Sequence, residues 1–359
     1  MRLEFDGLNI AGGGGRFGGS LLVEQAEFGD NPGHLRMFHH VPAGLAAGAP
    51  LVVILHGCLQ TARGYDHGTG WSALAERFGF ALLAPEQARA NNPNGCFNWF
   101  LPEQTARGRG EVASIRQMTA WMLEAYALDP SRVFVTGLSA GGAMAGAMLA
   151  TYPELFAAGA IIAGLPYGAA GNVLEALAAM HHTQSRPAGD WGDAVRHASA
   201  HAGPWPRISV WHGDADTTVA SSNMDAIVAQ WRDVHGLAQP PLEVHEPGYV
   251  RRIWRDTAEV PVIEAYTMRG LGHGVPIHGG GGEECCGEAG PFLLEAGISS
   301  SHRIADFFGL TATLRPGAQA RPSTVDTHQT RTTDLHGLSG GRLHQVIVGA
   351  LKAAGLMRD

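Results

Sequence analysis

The chain has 359 residues, 45% of them hydrophobic, with 25 Lys and Arg against 33 Asp and Glu, a formal charge of −8. That length accommodates one large domain or two ordinary ones around a substantial buried core. The acidic balance excludes the basic footprint of a nucleic-acid binder or an anionic-membrane patch, and no apolar run approaches the roughly 20 residues needed to span a bilayer.

The first segment, MRLEFDGLNIAGGGGRFGG, places acidic residues and glycines where a secretory signal would carry an unbroken apolar core. No export signal is expected from it. Its glycine cluster, 11–19, resembles a phosphate cradle only superficially. No strand pattern precedes it and no helical pattern follows, so it reads as a loop. From residue 51 onward strands and helices alternate. Short apolar or β-branched runs predict strands over 51–55, 80–84, 133–136, 160–163, 208–211 and 262–268. Apolar residues spaced by three and four predict helices over 71–78, 112–126, 142–151 and 224–234. Pro130 in DPSR stops the second of these. Such alternation predicts an α/β fold, a mostly parallel sheet covered by helices on both faces. Residues 165–207 interrupt the rhythm with one helical pattern, 173–181, and a polar Gly-, Pro- and Trp-bearing stretch. They read as an insertion over one end of the sheet, a candidate lid. A polar loop is expected over 310–335 and a last amphipathic helix over 343–356.

The sharpest chemical signal is VFVTGLSAGGAM, 133–144. Gly137, Ser139 and Gly141 form a GxSxG pattern between a strand and a small-residue helix, the context of a nucleophile elbow in the α/β-hydrolase fold. The glycines relieve collisions two residues before and after the serine, and the helix N-terminus faces any oxyanion formed there. Ser139 is therefore the expected nucleophile. It needs an imidazole to take its proton and an acid to orient that imidazole, in the chain order nucleophile, acid, base. ISVWHGDADTTV, 208–219, offers Asp214 and Asp216 after a strand. The HGxxDxxV spacing favours Asp216, leaving Asp214 to cap the turn. AYTMRGLGHGVP, 265–276, places His273 in a loop after a late strand, ahead of His278 and His302 as the base.

The oxyanion of an acyl-transfer site takes one backbone N–H after the nucleophile and one from a loop after an early strand. Here these are Ala140 and, in LVVILHGCLQTA (51–62), Cys58. With that role for its amide, the Cys58 thiol has no elbow or base of its own and is not read as a nucleophile. Cys96, in NNPNGCFNWF, follows the next strand. A disulfide to Cys58 and two free buried thiols both fit the sequence. Further on, HGVPIHGGGGEECCGEAG gathers His278, Glu283, Glu284, Cys285 and Cys286. Adjacent cysteines lack the two-residue gap of a zinc knuckle, so the segment reads as a loop and no metal site is expected.

LHGCLQTA, PEQARANNPNGCFNWF, GLSAGGAMAGAMLATYPELFAAGAIIAGLPYG, WHGDADTTV and GPFLLEAGISSSHRIADFFGL occur in this order. Together they resemble the polyhydroxybutyrate (PHB) depolymerase family of esterases, which includes feruloyl and acetylxylan esterases, over roughly 51–310. The resemblance implies an α/β-hydrolase catalytic domain over 51–310 with Ser139, Asp216 and His273 as its triad. Residues 1–50 would supply an N-terminal extension and the first strands, and 311–359 a loop and helix packed on the same domain. It also implies a Cys58–Cys96 disulfide, as in secreted members, and hence an extracellular or periplasmic home; free thiols would suit the cytoplasm. Trp99, Phe100 and Tyr167 become ester-binding candidates, with core packing as the other reading of each. The implied activity is serine-dependent hydrolysis of carboxylic esters, without metal or organic cofactor. Members that degrade solid polymer carry a signal peptide, a linker and a separate binding domain, none of them visible here. Short-chain esters or hydroxyalkanoate oligomers are therefore the expected substrates, with feruloyl or acetylxylan esters as the alternative. Acyl transfer to an alcohol, or a non-catalytic polymer- or carbohydrate-binding protein on a hydrolase scaffold, would be the competing activities.

Overall fold

Alternate residues of one strand run to two different cores. In the strand Leu51–Leu55, Leu51, Val53 and Leu55 join one apolar cluster, while Val52 and Ile54 join another on the opposite face. A strand buried on both sides has no polar face to alternate with, which is why its sequence is an unbroken apolar run. The computed structural model describes residues 20–311. The glycine cluster at 11–19, the loop expected at 310–335 beyond Thr311, and the helix expected at 343–356 lie outside them.

In chain order the strands are β1 (Val23–Gln25), β2 (Arg36–His40), β3 (Leu51–Leu55), β4 (Ala81–Glu86), β5 (Val133–Leu138), β6 (Ala158–Ile162), β7 (Arg207–Gly213), β8 (Leu242–Glu246), β9 (Tyr249–Arg255), β10 (Pro261–Met268), β11 (Val275–Ile277) and β12 (Leu293–Glu295). The helices are α1 (Ala62–Thr69), α2 (Trp71–Phe78), α3 (Pro102–Thr105), α4 (Gly110–Ala125), α5 (Ala140–Thr151), α6 (Val173–His181), α7 (Ala188–Arg196), α8 (Ser222–Val234) and α9 (Ser300–Phe307). The ten-stranded main sheet runs β1-β2-β4-β3-β5-β6-β7-β10-β9-β8. Its centre, β4-β3-β5-β6-β7-β10, is parallel, and antiparallel strands close both edges. This is the α/β-hydrolase architecture expected from the sequence. Side chains of α4, α5 and α8 fill one core and those of α1, α2 and α9 the other.

The six parallel strands are those anticipated, with shifted ends. β6 starts two residues earlier and stops before Ala163, whose φ of 45° carries it out of the strand. β1 and β2 lie within 1–50, where the resemblance implied the first strands, at no stated positions; β8 and β9 were not anticipated. They lie at the sheet edges, where LEVHE and YVRRIWR can carry charge. α5 is buried at all twelve positions, and its Ala- and Gly-rich surface lies against β5 and β6.

The interval 165–207 holds α6, with the predicted bounds, and α7, which was not anticipated. Asn172 caps α6 by accepting from the Glu175 amide at 3.0 Å. α7 is fastened to α8, where Arg196 pairs with Asp233. At the opposite pole, around the N-terminal ends of β3, β4 and β5, an open groove is lined by residues 42–50, Gly79, Arg132 and Leu310.

Candidate active site

β5 ends at Leu138, and the next residue turns the chain directly into α5. Ser139 sits at φ 57°, ψ −118°, a conformation that L-residues hold only under constraint. The constraint is a close backbone approach. A Cβ on Gly137 would lie 2.4 Å from the Gly141 carbonyl oxygen, and one on Gly141 only 2.2 Å from that of Leu55. The glycines of the elbow thus make room for backbone, including the end of β3, which places the residues after β3 beside the serine. The Ser139 amide donates to the Ile162 carbonyl at 2.8 Å, tying the elbow to β6.

The loops after β7 and β10, adjacent parallel strands, are laced together. The Asp214 amide donates to the Met268 carbonyl at 3.0 Å, the Ala215 amide to that of Leu271 at 3.1 Å, and the Gly270 amide to Asp214 Oδ1 at 2.6 Å. A Cβ on Gly213 would stand 2.1 Å from the Leu271 oxygen, so the seam closes only around glycine. Beyond it, His273 Nδ1 meets Asp216 Oδ2 at 2.7 Å, with both side chains buried. Asp216 Oδ1 accepts from the amides of Thr218 (2.8 Å) and Val219 (2.9 Å). Burial pushes the Asp216 carboxyl upward, but hydrogen bonds and charge from His212 and His273 outweigh it and hold the group well below the usual carboxylate range. Asp216 is the carboxylate on His273; Asp214 clasps the neighbouring loop.

After β3, the Gly57 amide donates to Gln60 Oε1 at 2.9 Å, that of Leu59 to the Asn94 carbonyl at 2.8 Å, and that of Gln60 to the Gly57 carbonyl at 3.3 Å. Among the described residues the Cys58 amide has no acceptor. The Ala140 amide opens α5, where no intrahelical acceptor exists. Cys58 is joined to Cys96 by a disulfide, the alternative that the resemblance implied. His56 Nδ1 donates to the Gly57 carbonyl at 2.8 Å, and its Nε2 accepts from the Gln87 amide at 3.2 Å.

Ser139 and His273 open into one narrow, mostly apolar cleft of about 80 Å³. Gly57, Cys58 and Leu59 form one wall, and Asn92, Asn94, Cys96, Trp99 and Phe100 another. Val173, Ala176, Leu177 and Met180 of α6 roof it, with Thr218 and Phe292 at its margins.

Residues 36–241 match the family model described as Esterase PHB depolymerase. The chain belongs to this family. It is 44% identical over 292 residues to "Poly(3-hydroxyalkanoate) depolymerase C" of Paucimonas lemoignei, an alignment covering 80% of this chain and 70% of that protein. It is 33% identical over 267 residues to "Acetylxylan esterase A" of Aspergillus oryzae, covering 72% and 85% respectively. Among solved structures, the acetyl xylan esterase from Aspergillus awamori superposes with a TM-score of 0.68 at 28% identity, over 81% of this chain and 99% of that one. The protein is a carboxylic ester hydrolase.

Within this esterase, Trp99 and Phe100 are among the residues that line the cleft. Tyr167 is not. Its backbone N–H and carbonyl are both bonded to the Gln230 side chain, and its ring packs on the core under α8. His278 sits at an exposed position against Glu295, and His302 lies on α9 beside Phe78, both outside the cleft. Cys285 and Cys286 are free thiols, Cys286 Sγ lying 2.8 Å from Ser299 Oγ. Among the described residues no group of three or more His, Cys, Asp or Glu is arranged to hold a metal.

Sequence reasoning placed the helix 173–181 in a candidate lid but named none of its cleft residues, although Val173, Ala176, Leu177 and Met180 follow the one-face spacing of a helix. It also missed Glu111. This buried carboxylate accepts from Gln87 Nε2 (2.6 Å), the Asn98 amide (2.9 Å) and Asn98 Nδ2 (2.7 Å), anchoring the segment that carries Trp99. Burial raises Glu111 to about 7 against those three donors.

Proposed function

We propose that this esterase works through Ser139, His273 and Asp216 on short acyl esters, with hydroxyalkanoate oligomers or polyester chain ends as the substrate class. The observation that carries the reading is the His273–Asp216 bond in the same cleft as a strained serine elbow. His273 takes the Ser139 proton as Oγ attacks the ester carbonyl. The free amides of Cys58 and Ala140 receive the oxyanion, and the alcohol leaves with the proton from His273. Water, activated by the same imidazole, then releases the acid. Asp216 keeps Nδ1 protonated, so that Nε2 is the face offered to the serine, and stabilises the imidazolium.

Two observations support the substrate class. At roughly 10–15 Å³ for each water-sized group, a mostly apolar cleft of about 80 Å³ has room for an acetyl or hydroxybutyryl unit. The relative at 44% identity is named a poly(3-hydroxyalkanoate) depolymerase. An acetylxylan reading is supported by the structural likeness to the Aspergillus awamori enzyme. We assign α6 as a substrate-facing wall of the cleft, and the disulfide supports maturation in an oxidising compartment.

The test is a panel of p-nitrophenyl esters of rising chain length, hydroxybutyrate oligomers, acetylated xylan and feruloyl esters, run with Ser139→Ala, Asp214→Asn and Asp216→Asn. Activity should fall with acyl length and vanish in Ser139→Ala. It should drop about 10⁴-fold in Asp216→Asn and stay near normal in Asp214→Asn. A preference for feruloyl esters would refute the substrate class, and an active Asp216→Asn would refute the triad. A fluorophosphonate that failed to label Ser139 in folded protein would return the scaffold to a binding role.

A further inference from the structure

One buried ring at the site has no part in the scheme above. His212, on β7 and four residues before Asp216, has a fully buried side chain. Its Nε2 lies 2.9 Å from the Val219 carbonyl oxygen and 3.3 Å from Asp216 Oδ2. Two acceptors on one side fix the hydrogen on Nε2, where it is shared between them. Among the described residues Nδ1 has no partner. A ring kept for packing alone would carry that buried, unpaired nitrogen at a cost that an apolar side chain of similar volume avoids.

The geometry points to His212 as a positioning residue for Asp216, an inference that rests on the triad reading above. A carboxylate offers about four lone-pair sites. Here Thr218 N and Val219 N occupy the two on Oδ1, and His273 Nδ1 and His212 Nε2 those on Oδ2. Val219 closes the arrangement, because its N–H holds Oδ1 while its carbonyl accepts from His212. One imidazole therefore secures the carboxylate twice, directly and through the 216–219 turn. With all four sites taken, Asp216 can neither rotate away from His273 nor draw a water into its place. Without His212, Oδ2 has an open site and the turn loses its inner tether.

The experiment uses the full chain and p-nitrophenyl butyrate. His212→Leu removes the donor; His212→Gln offers an amide N–H at a similar reach, and His212→Asn one that falls short. We expect kcat to fall about 10- to 100-fold in His212→Leu, the range for one lost hydrogen bond to an ionised partner, with KM within about twofold. His212→Gln should recover to within about threefold of wild type. The downfield proton resonance of the His273–Asp216 bond should weaken in His212→Leu and persist in His212→Gln. If His212→Leu does not fold, Gln well above Asn in kcat carries the inference and equal rates in the two overturn it. Wild-type kcat in His212→Leu, or equal losses in Leu and Gln that track melting temperature, also overturn it. An inactive Asp216→Asn beside a fully active His212→Leu would remove the positioning role alone; an active Asp216→Asn would remove the triad beneath it.

Discussion

Removing the Cys58–Cys96 bridge by the double substitution Cys58→Ala, Cys96→Ala tests whether it holds the proposed oxyanion loop or only the fold. The bridge closes a 38-residue segment. A loop of that length loses about 13 cal/mol/K of unfolded-state entropy on cross-linking, or ~4 kcal/mol at 25 °C. For a protein of this size that corresponds to a fall in melting temperature on the order of 10 °C. The loop keeps its other ties, the Leu59 amide on the Asn94 carbonyl and the Gly57 amide on Gln60. The fall in kcat should therefore be smaller than the roughly 10²–10³-fold of deleting an oxyanion donor outright. Calorimetry and kcat measured well below the transition separate the two effects, and reduced wild type should reproduce both. A melting shift under about 3 °C would refute the entropic argument. Unchanged kcat in the double variant would refute the view that the bridge steadies the Cys58 amide.

Gly141→Ala should cost at least about 3 kcal/mol in denaturant unfolding, because its Cβ meets the Leu55 and His56 carbonyl oxygens, neither of which can yield. Gly189→Ala, with nothing within 4 Å of the new Cβ in α7, is the control and should be neutral or stabilising by about 0.5–1 kcal/mol. Glu111, raised from 4.5 to about 7 chiefly by burial, favours the fold below pH 4.5 and loses that contribution as pH rises through 7. Unfolding free energy measured at pH 5 and pH 8 should therefore move about 2–3 kcal/mol in favour of Glu111→Gln over wild type; equal slopes would contradict this. Ser299→Cys should bridge to Cys286 across 13 residues and add about 3 kcal/mol under oxidising conditions. One titratable thiol, Cys285, should then remain, and three would show that no bridge forms.

What could be read from the sequence follows from where the information is local. β3 and β5, buried on both faces, announce themselves as apolar runs, and Ser139, Asp216 and His273 each sit in a short motif at a strand end. The rest depends on tertiary placement. α1 escaped notice because ARGYDHGT buries polar groups: Asp66 accepts from Ser20 and Ser72, so the helix does not follow an apolar stripe. Tyr167 was left between ester binding and core packing because what decides it is Gln230, 63 residues on, which bonds both of its backbone polar groups. His212 was visible in WHGDAD, but its partners became apparent only when the 216–219 turn folded back over it.

The groove at the N-terminal ends of β3, β4 and β5 has a practical consequence. Leu310 lines it, so the described residues end, at Thr311, beside the pole opposite the cleft. A support, or a domain with affinity for a plastic surface, attached there would present the catalytic face outward. On a solid film such an attachment would turn the cleft away from the material it adheres to, unless the connecting chain were long enough to reach around the body of the enzyme.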